Sequence, residues 1–255
     1  VTLNEVTRSV FYAPLYVAVS RGFFEAEGME IEIVTGGGSD KSMTALLAGE
    51  ADIALMGPET GVYVVSGGKD EYVLKQHGLT PGVDVEVINN IQFNLMGGAF
   101  ESGTGDFVTL FEPTASEFEA AGKGHIVANV GMESGEVPYT AFMVAPDTIK
   151  DDPAFVEAFV RALYRAQLWV QSASDAEIAE AMQPFFPDSS VETLSAVAQS
   201  YRATDSWTQT PVMSEDSFTR LQDIMESAGE LSERVEFTEL VDNSFAEAAV
   251  EEAGK

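Results

Sequence analysis

Two periods of apolar and polar positions alternate along the first seventy residues. Residues 2–7 and 30–35 alternate every second position, as strands do, and residues 52–56 form a short apolar run. Residues 13–27 and 41–48 instead repeat apolar positions at helical spacing. A βαβαβ order of this kind predicts a mostly parallel sheet with helices on its faces. Gly22, Gly28 and Gly49 stand at the expected helix ends, and GGGSD at 36–40 closes a strand and caps the next helix through Ser39 or Asp40.

A similar phrase then occurs twice. LLAGEADIALMGPET at 46–60 aligns with FESGTGDFVTLFEPT at 100–114, pairing Gly49 with Gly103 and Asp52 with Asp106 at one spacing. Residues 106–110 therefore read as a strand equivalent to 52–56, followed by a helix over 114–121 and extended segments at 125–130 and 139–144. From Asp152 onward the chain reads as helical, opening on Asp and Pro, with Phe155, Phe159, Ala162, Leu163, Ala166 and Val170 on one core-facing stripe. Trp169 and Trp207 read as core residues, and the last segment, FAEAAVEEAGK, as a terminal helix.

This order divides the chain into 1–70, the first part of lobe 1; 71–137, lobe 2; and 138–255, a return to lobe 1 with C-terminal helices. One element is missing from it. A βαβ lobe should open with a strand ahead of Tyr72, yet helix-like GVYVVSGGKD runs directly into helix-like EYVLKQHG. The junction of Asp70 and Glu71 reads as a join between pieces that are not contiguous in the natural chain.

Composition narrows the function classes. With 45% hydrophobic residues and a mean hydropathy of +0.02, the 255-residue chain can bury substantial cores. No apolar run reaches the ~18–20 residues of a membrane span. Thirteen Lys and Arg against 42 acids give a net charge of −29, which repels nucleic-acid phosphate and anionic lipid. With no cysteine, disulfides, thiolate catalysis and cysteine-ligated metal are excluded. Only His77 and His125 could supply imidazole, without the spacing of a metal site, and no nucleophile and base pair is evident. No catalytic residue, cofactor or metal is expected.

In an open α/β sheet, ligands bind beyond the carboxyl ends of the strands. Both repeated phrases end there, in Gly57, Pro58 and Glu59 and in Glu112, Pro113 and Thr114, so the two tips would form opposite walls of one cleft. Phe11 and Tyr12, on the loop after the first strand, are open to ligand stacking or to core packing. Gly37, Gly38 and Ser39 are open to anion binding through backbone N–H groups or to a simple turn. Without a P-loop lysine or a G-x-G-x-x-G run, ATP and NAD are disfavoured.

YAPLYVAVSRGFFEAEGMEIEIVTGGGSD, ALLAGEADIALMGPE and GTGDFVTLFEPTASEFEAAGKG resemble the solute-binding proteins of ABC importers for nitrate, taurine, alkanesulfonates and thiamine-pyrimidine precursors, a group that includes the pyrimidine synthases. The resemblance runs over nearly the whole chain. It implies a type II periplasmic-binding fold, an α/β architecture of two βαβ lobes around a cleft with a helical C-terminal region. It also implies an extracytoplasmic monomer whose partners are a small-molecule solute and a membrane permease. The family's site loops fall on Phe11, Tyr12, Gly37, Gly38, Ser39, Gly57, Pro58, Glu59, Glu112, Pro113 and Thr114, with Asn94 and Tyr139 as weaker matches. Relatives carry several tens of residues between the positions of Asp70 and Glu71, including a Gly-rich site loop.

The matched positions offer two carboxylates and no cation, with only Arg8 and Lys41 nearby. An oxyanion wants cationic or N–H donors, whereas a carboxylate accepts. An aminopyrimidine or a similar planar amine stacked on Phe11 or Tyr12 is therefore the favoured solute over nitrate, taurine or a sulfonate. Each glutamate is also open to capping the helix after its strand instead. An enzyme of the pyrimidine synthase or menaquinone-pathway type is the alternative on this fold, but the synthases' cysteine-rich motif is missing.

Overall fold

A computed structural model describes residues 1–59, 78–88, 90–227, 231 and 233–254. In chain order its elements begin with β1 (Thr2–Glu5), α1 (Ala13–Ser20), α2 (Phe23–Ala26), β2 (Glu32–Thr35), α3 (Ser39–Leu47) and β3 (Ile53–Met56). Next come α4 (Met96–Glu101), α5 (Thr114–Ala120), α6 (Val130–Ser134), β4 (Ala141–Met143) and α7 (Pro146–Asp151). The remainder is helical: α8 (Pro153–Ser172), α9 (Asp175–Met182), α10 (Val191–Ala203), α11 (Glu215–Ser227), α12 (Phe237–Leu240) and α13 (Ser244–Ala253).

The four strands form one sheet in the order β2-β1-β3-β4. β1 pairs in parallel with β2 and β3, with Leu3 opposite Ile33 and Ile53, and β4 returns antiparallel to β3, Phe142 facing Leu55. Parallel pairing sends both β1 and β3 toward the same edge, so the loops after them emerge side by side. Asp52, predicted to open the strand, stands one residue ahead of β3, its Oδ2 accepting from the Thr2 amide at 2.8 Å.

Most of the core lies between this sheet and the helices α1, α8, α9 and α10. Helix α8 forms because Asp152 caps it, accepting from the Phe155 amide at 3.1 Å, and because Pro153 fits the first turn. Its predicted stripe is buried at Phe159, Ala162, Leu163, Ala166 and Val170, while Phe155 is only partly covered. Phe159 stacks on Phe24 at 5.1 Å, and Glu27 pairs with Arg161 at 2.8 Å and Arg165 at 3.0 Å, which fixes α2 on α8. A reciprocal Ser174–Glu177 capping box opens α9. Helix α13, the predicted terminal helix, packs on α8.

Several expectations need correction. The segment 13–27 is two helices, because Gly22, with φ 71°, breaks the first. Helix α3 starts two residues earlier than its apolar pattern indicates, so Gly38 is its cap residue and neither Ser39 nor Asp40 caps it. Gly49 and Gly103 both end helices with positive φ, at 71° and 89°. Beyond Gly103 the likeness between the two phrases stops: residues 106–110 and 125–129 are not strands, and residue 130 already belongs to α6.

Alternation alone does not make a strand, since a ladder needs a neighbour to exchange hydrogen bonds. Among the described residues of 78–137 no such neighbour exists, and an isolated bridge between Pro81 and Val85 is the sole β pairing. Phe107 and Val127 are accordingly left 79% and 73% exposed. The junction at Asp70 and Glu71, Tyr72 and His77 lie outside the described residues.

Candidate binding site at the loop tips

The loop after β1 is held from below by a buried carboxylate. Glu5, fully buried, accepts from Tyr16 Oη at 2.6 Å and Thr35 Oγ1 at 2.9 Å, and pairs with Arg8 Nε at 3.0 Å. Burial raises its pKa, while the Tyr16 bond, the Arg8 charge and the Thr35 bond oppose the rise. The Arg8 guanidinium also lies over the rings of Tyr16 and Phe185. Tyr16 Oη in turn accepts from the Ser9 amide at 3.3 Å, and Ser9 Oγ caps the 3-10 turn Val10–Tyr12 by accepting from the Phe11 amide at 3.2 Å.

Phe11 and Tyr12 are thus set by a chain of bonds that begins at Glu5. Tyr12 is buried, and its hydroxyl pKa lies well above its ordinary value because of burial first, then the nearby Glu5, Tyr201 and Glu59. It stays protonated at neutral pH, able to donate and to accept.

After β2, the Gly36 and Gly37 amides donate to Glu5 O and Val6 O at 2.8 and 2.9 Å, which ties the glycine loop to β1. A side chain at Gly36 would come 2.6 Å from Asn4 Oδ1 and 2.8 Å from Ser42 Oγ, so this close approach requires glycine. Gly37 occupies the left-handed region at φ 79°. Gly38 and Ser39 lie at the N-terminus of α3. After β3, Gly57 and Pro58 are buried and the Glu59 carboxylate folds back over Gly57.

The second tip meets the loop after β1 directly. Glu112 O accepts from Ser9 Oγ at 3.2 Å and from the Val10 amide at 3.4 Å, and the Glu112 amide donates to Tyr201 Oη at 3.3 Å. The Glu112 carboxylate is engaged elsewhere: it accepts from the Ser116 amide and Ser116 Oγ, both at 2.9 Å, and so caps α5. Of the two roles open to Glu112, the structure has the capping one.

Pro113 is buried beside it, and Thr114 is the exposed first residue of α5. Tyr139 stands between Phe11 at 5.6 Å and Phe111 at 5.3 Å, and Phe11 meets Tyr201 edge-on at 5.7 Å. Asn94, in an exposed 3-10 turn at Phe93–Leu95, has no hydrogen bond to this group among the described residues. His125, expected at an element end, is instead 87% exposed in the irregular segment between α5 and α6.

Three residues that build the tips escaped sequence reasoning. Ser9 carried a usable signal, a serine just ahead of a turn and the Pro14 of a helix start. Tyr16 and Tyr201 carried none: one reads as helix core, and the other comes from a helix about ninety positions beyond the tip it touches. Among the described residues no group of three or more potential metal ligands occurs, and no helix is long and apolar enough to cross a membrane.

A family model described as NMT1/THI5 like matches residues 10–71, and one described as NMT1-like family matches residues 70–183. YtlA of Bacillus subtilis (strain 168), a protein named for a binding role, is 37% identical over 301 residues, taking in 99% of this chain and 90% of its own. The chain belongs to the NMT1/THI5-like family. The YtlA alignment spans 301 positions, of which this 255-residue chain fills 255 at most, so at least 46 positions of YtlA face no residue here. The two family models meet at 70–71, the junction singled out above.

The family's fold is found in solved structures at low identity. The ligand-binding component of an ABC-type import system from Staphylococcus aureus, with zinc bound, has a TM-score of 0.75 at 14% identity, covering 98% of each chain. The alkanesulfonate-binding protein SsuA of Xanthomonas axonopodis pv. citri, bound to MOPS, has a TM-score of 0.69 at 13% identity over 98% of this chain and 96% of its own. The desulfurization enzyme DSZB shares the fold at a TM-score of 0.61 and 15% identity, covering 99% of each chain. This is the periplasmic-binding-protein fold, the class expected from the resemblance.

Proposed function

We propose that this protein is the extracytoplasmic solute-binding component of an ABC import system, and that it takes a small, planar, amine-bearing molecule such as an aminopyrimidine at its loop tips. The observation that carries the reading is the convergence of tips from distant parts of the chain: Ser9 and Val10, after β1, both donate to the carbonyl of Glu112. A solute lodged there would touch both segments and favour their closed arrangement over an open one. The closed form would then dock on a membrane permease.

Charge selects the solute class. Arg8, the cation nearest the tips in sequence, is neutralised by Glu5 at 3.0 Å and shielded by two rings. With Glu112 capping α5, Glu59 is the carboxylate proposed to accept from an amine, beside a Tyr12 hydroxyl that can donate or accept. Phe11 and Tyr139 would supply ring faces for a flat heterocycle. Gly37, Gly38, Ser39, Gly57, Pro58, Pro113 and Thr114 would line the same space.

DSZB makes catalysis on this fold a fair second reading, yet the chain has no cysteine and, among the described residues, the tips bring no nucleophile together with a base. The test is a thermal-shift panel of 4-amino-2-methylpyrimidine, riboflavin, methanesulfonate and nitrate on purified protein. Stabilisation by the aminopyrimidine is expected, since ligand binding to the folded state alone raises its midpoint. A shift with methanesulfonate or nitrate alone would overturn the amine preference.

A further inference from the structure

Phe118 of α5 lies over Gly97 of α4, where a Cβ would come 3.1 Å from its ring and 3.8 Å from Leu110, and Phe100 lies over Gly124 in the same way. Lys123 pairs with Glu101 at 2.8 Å and stands over the Phe118 ring. These contacts join residues 96–101 and 110–124 into one small unit whose apolar groups face each other. The chain leaves this unit for β4 by way of Gly135, whose φ of 75° and ψ of −180° are a combination that glycine alone adopts readily.

The unit meets the rest of the protein differently. Pro113 is buried and Phe111 touches the Tyr139 ring, yet no residue of α5 itself is buried. Hydrogen bonds make the tie: Ser9 and Val10 donate to the Glu112 carbonyl, the Glu112 amide donates to Tyr201 Oη at 3.3 Å, and Ser189 Oγ donates to Glu117 Oε1 at 2.7 Å. Ser189 stands just ahead of α10 and Tyr201 lies in its last turn, so the segment 112–117 is tethered at both ends of that helix. Helix α10, by contrast, buries Leu194, Val197 and Ala198 in the main core. Small polar contacts between bodies part more readily than large apolar ones, and segments with few buried apolar contacts open at well below the cost of global unfolding.

We propose that Ser189 with Glu117 and Tyr201 with Glu112 are the two ends of a latch. It holds the unit against the loop tips while no solute is bound, and solute enters when both ends part together, the chain turning at Gly135. The latch rests on the closing tips proposed above and adds what keeps them together before binding. Glu112 serves both sides of it. Its carboxylate stays with Ser116 inside the unit while its backbone carries the crossing bonds, so α5 need not unwind for the latch to open.

Native-state amide exchange, followed by NMR without solute, tests this. The Val10 and Glu112 amides donate across the contact, so their exchange reports its opening. The Ala121 amide, bonded to Glu117 O within the unit, and the Leu163 amide in the middle of α8 are the references. Ser189→Ala removes the far end of the latch and should speed exchange at Val10 and Glu112 ~5-fold, the effect of one lost hydrogen bond, with both references unchanged. Glu117→Ala serves the same purpose if that variant does not fold. Unchanged exchange at Val10 and Glu112, or an equal acceleration at Leu163, would mean that the unit is a fixed part of one body and would overturn the latch. With no solute present, this result is read apart from the aminopyrimidine response: a failed latch leaves the solute preference standing, and a failed solute preference leaves the latch.

Discussion

Replacing Tyr16 with Phe removes one oxygen from the base of the loop after β1 and little else. Tyr16 is fully buried; its ring stacks on Phe185 at 4.8 Å and meets Phe186 edge-on at 5.4 Å, contacts that Phe keeps. Lost are the 2.6 Å bond to Glu5 and the 3.3 Å bond from the Ser9 amide. A hydrogen bond to a charged group contributes ~1.5–3 kcal/mol, and a buried amide left unpaired costs ~1–3 kcal/mol. The second bond is long, so the low ends apply and the sum is about 2.5 kcal/mol. At ~2–4 °C per kcal/mol for a chain of this size, calorimetry at neutral pH should find the midpoint lowered by ~5–10 °C.

The pH dependence gives a second reading of the same variant. Glu5 has a raised folded pKa, so its contribution is fully present below the ordinary carboxylate value and is lost as pH rises through the folded value. The Tyr16 bond lowers that pKa, and removing it makes the charged form costlier still. The gap between Tyr16→Phe and the natural protein should therefore be widest near neutrality and narrow in acid, where Glu5 is protonated in both. A gap below about 1 °C, or one that does not change with pH, would refute the role given to Glu5.

Further outcomes follow from the same geometry. Gly36→Ala would push a methyl group into Asn4 and Ser42, whose side chains bond at 2.7 Å, and should cost ~1–3 kcal/mol by urea unfolding. Glu112→Ala removes the acceptor for Ser116 and should cost ~1 kcal/mol as a lost helix cap, with a matching loss of amide-exchange protection in α5. Glu27→Ala leaves Arg161 and Arg165 without their shared partner; thermal melts should reveal a loss on the order of 1–2 kcal/mol that added salt reduces. With a net charge of −29, the natural protein itself should gain stability as monovalent salt rises from low ionic strength.

What the sequence made legible was local. The period-2 runs at 2–7 and 30–35, the Asp-Pro start of α8 and the glycines at 49 and 103 all depend on a few neighbouring residues, and all correspond to elements or ends in the fold. The pattern DFVTL at 106–110 is as strand-like as its counterpart at 52–56, but β3 has β1 and β4 beside it and this segment has no strand among the described residues. The same limit applies at the site. Glu59 and Glu112 look equivalent in their phrases, yet a serine four positions on turns Glu112 into a helix cap. Ser9 to Glu112 to Tyr201 is a contact chain across three distant segments, and nothing in the local sequence announces it.

The central claim, that the converging tips hold an amine-bearing planar solute through Glu59, is tested most directly by calorimetric titration of 4-amino-2-methylpyrimidine into the natural protein and Glu59→Gln. The account predicts one-to-one binding that the substitution weakens at least ~10-fold, equivalent to ~1.4 kcal/mol. Equal affinity of both proteins, or binding of methanesulfonate or nitrate with no heat from the aminopyrimidine, would contradict it.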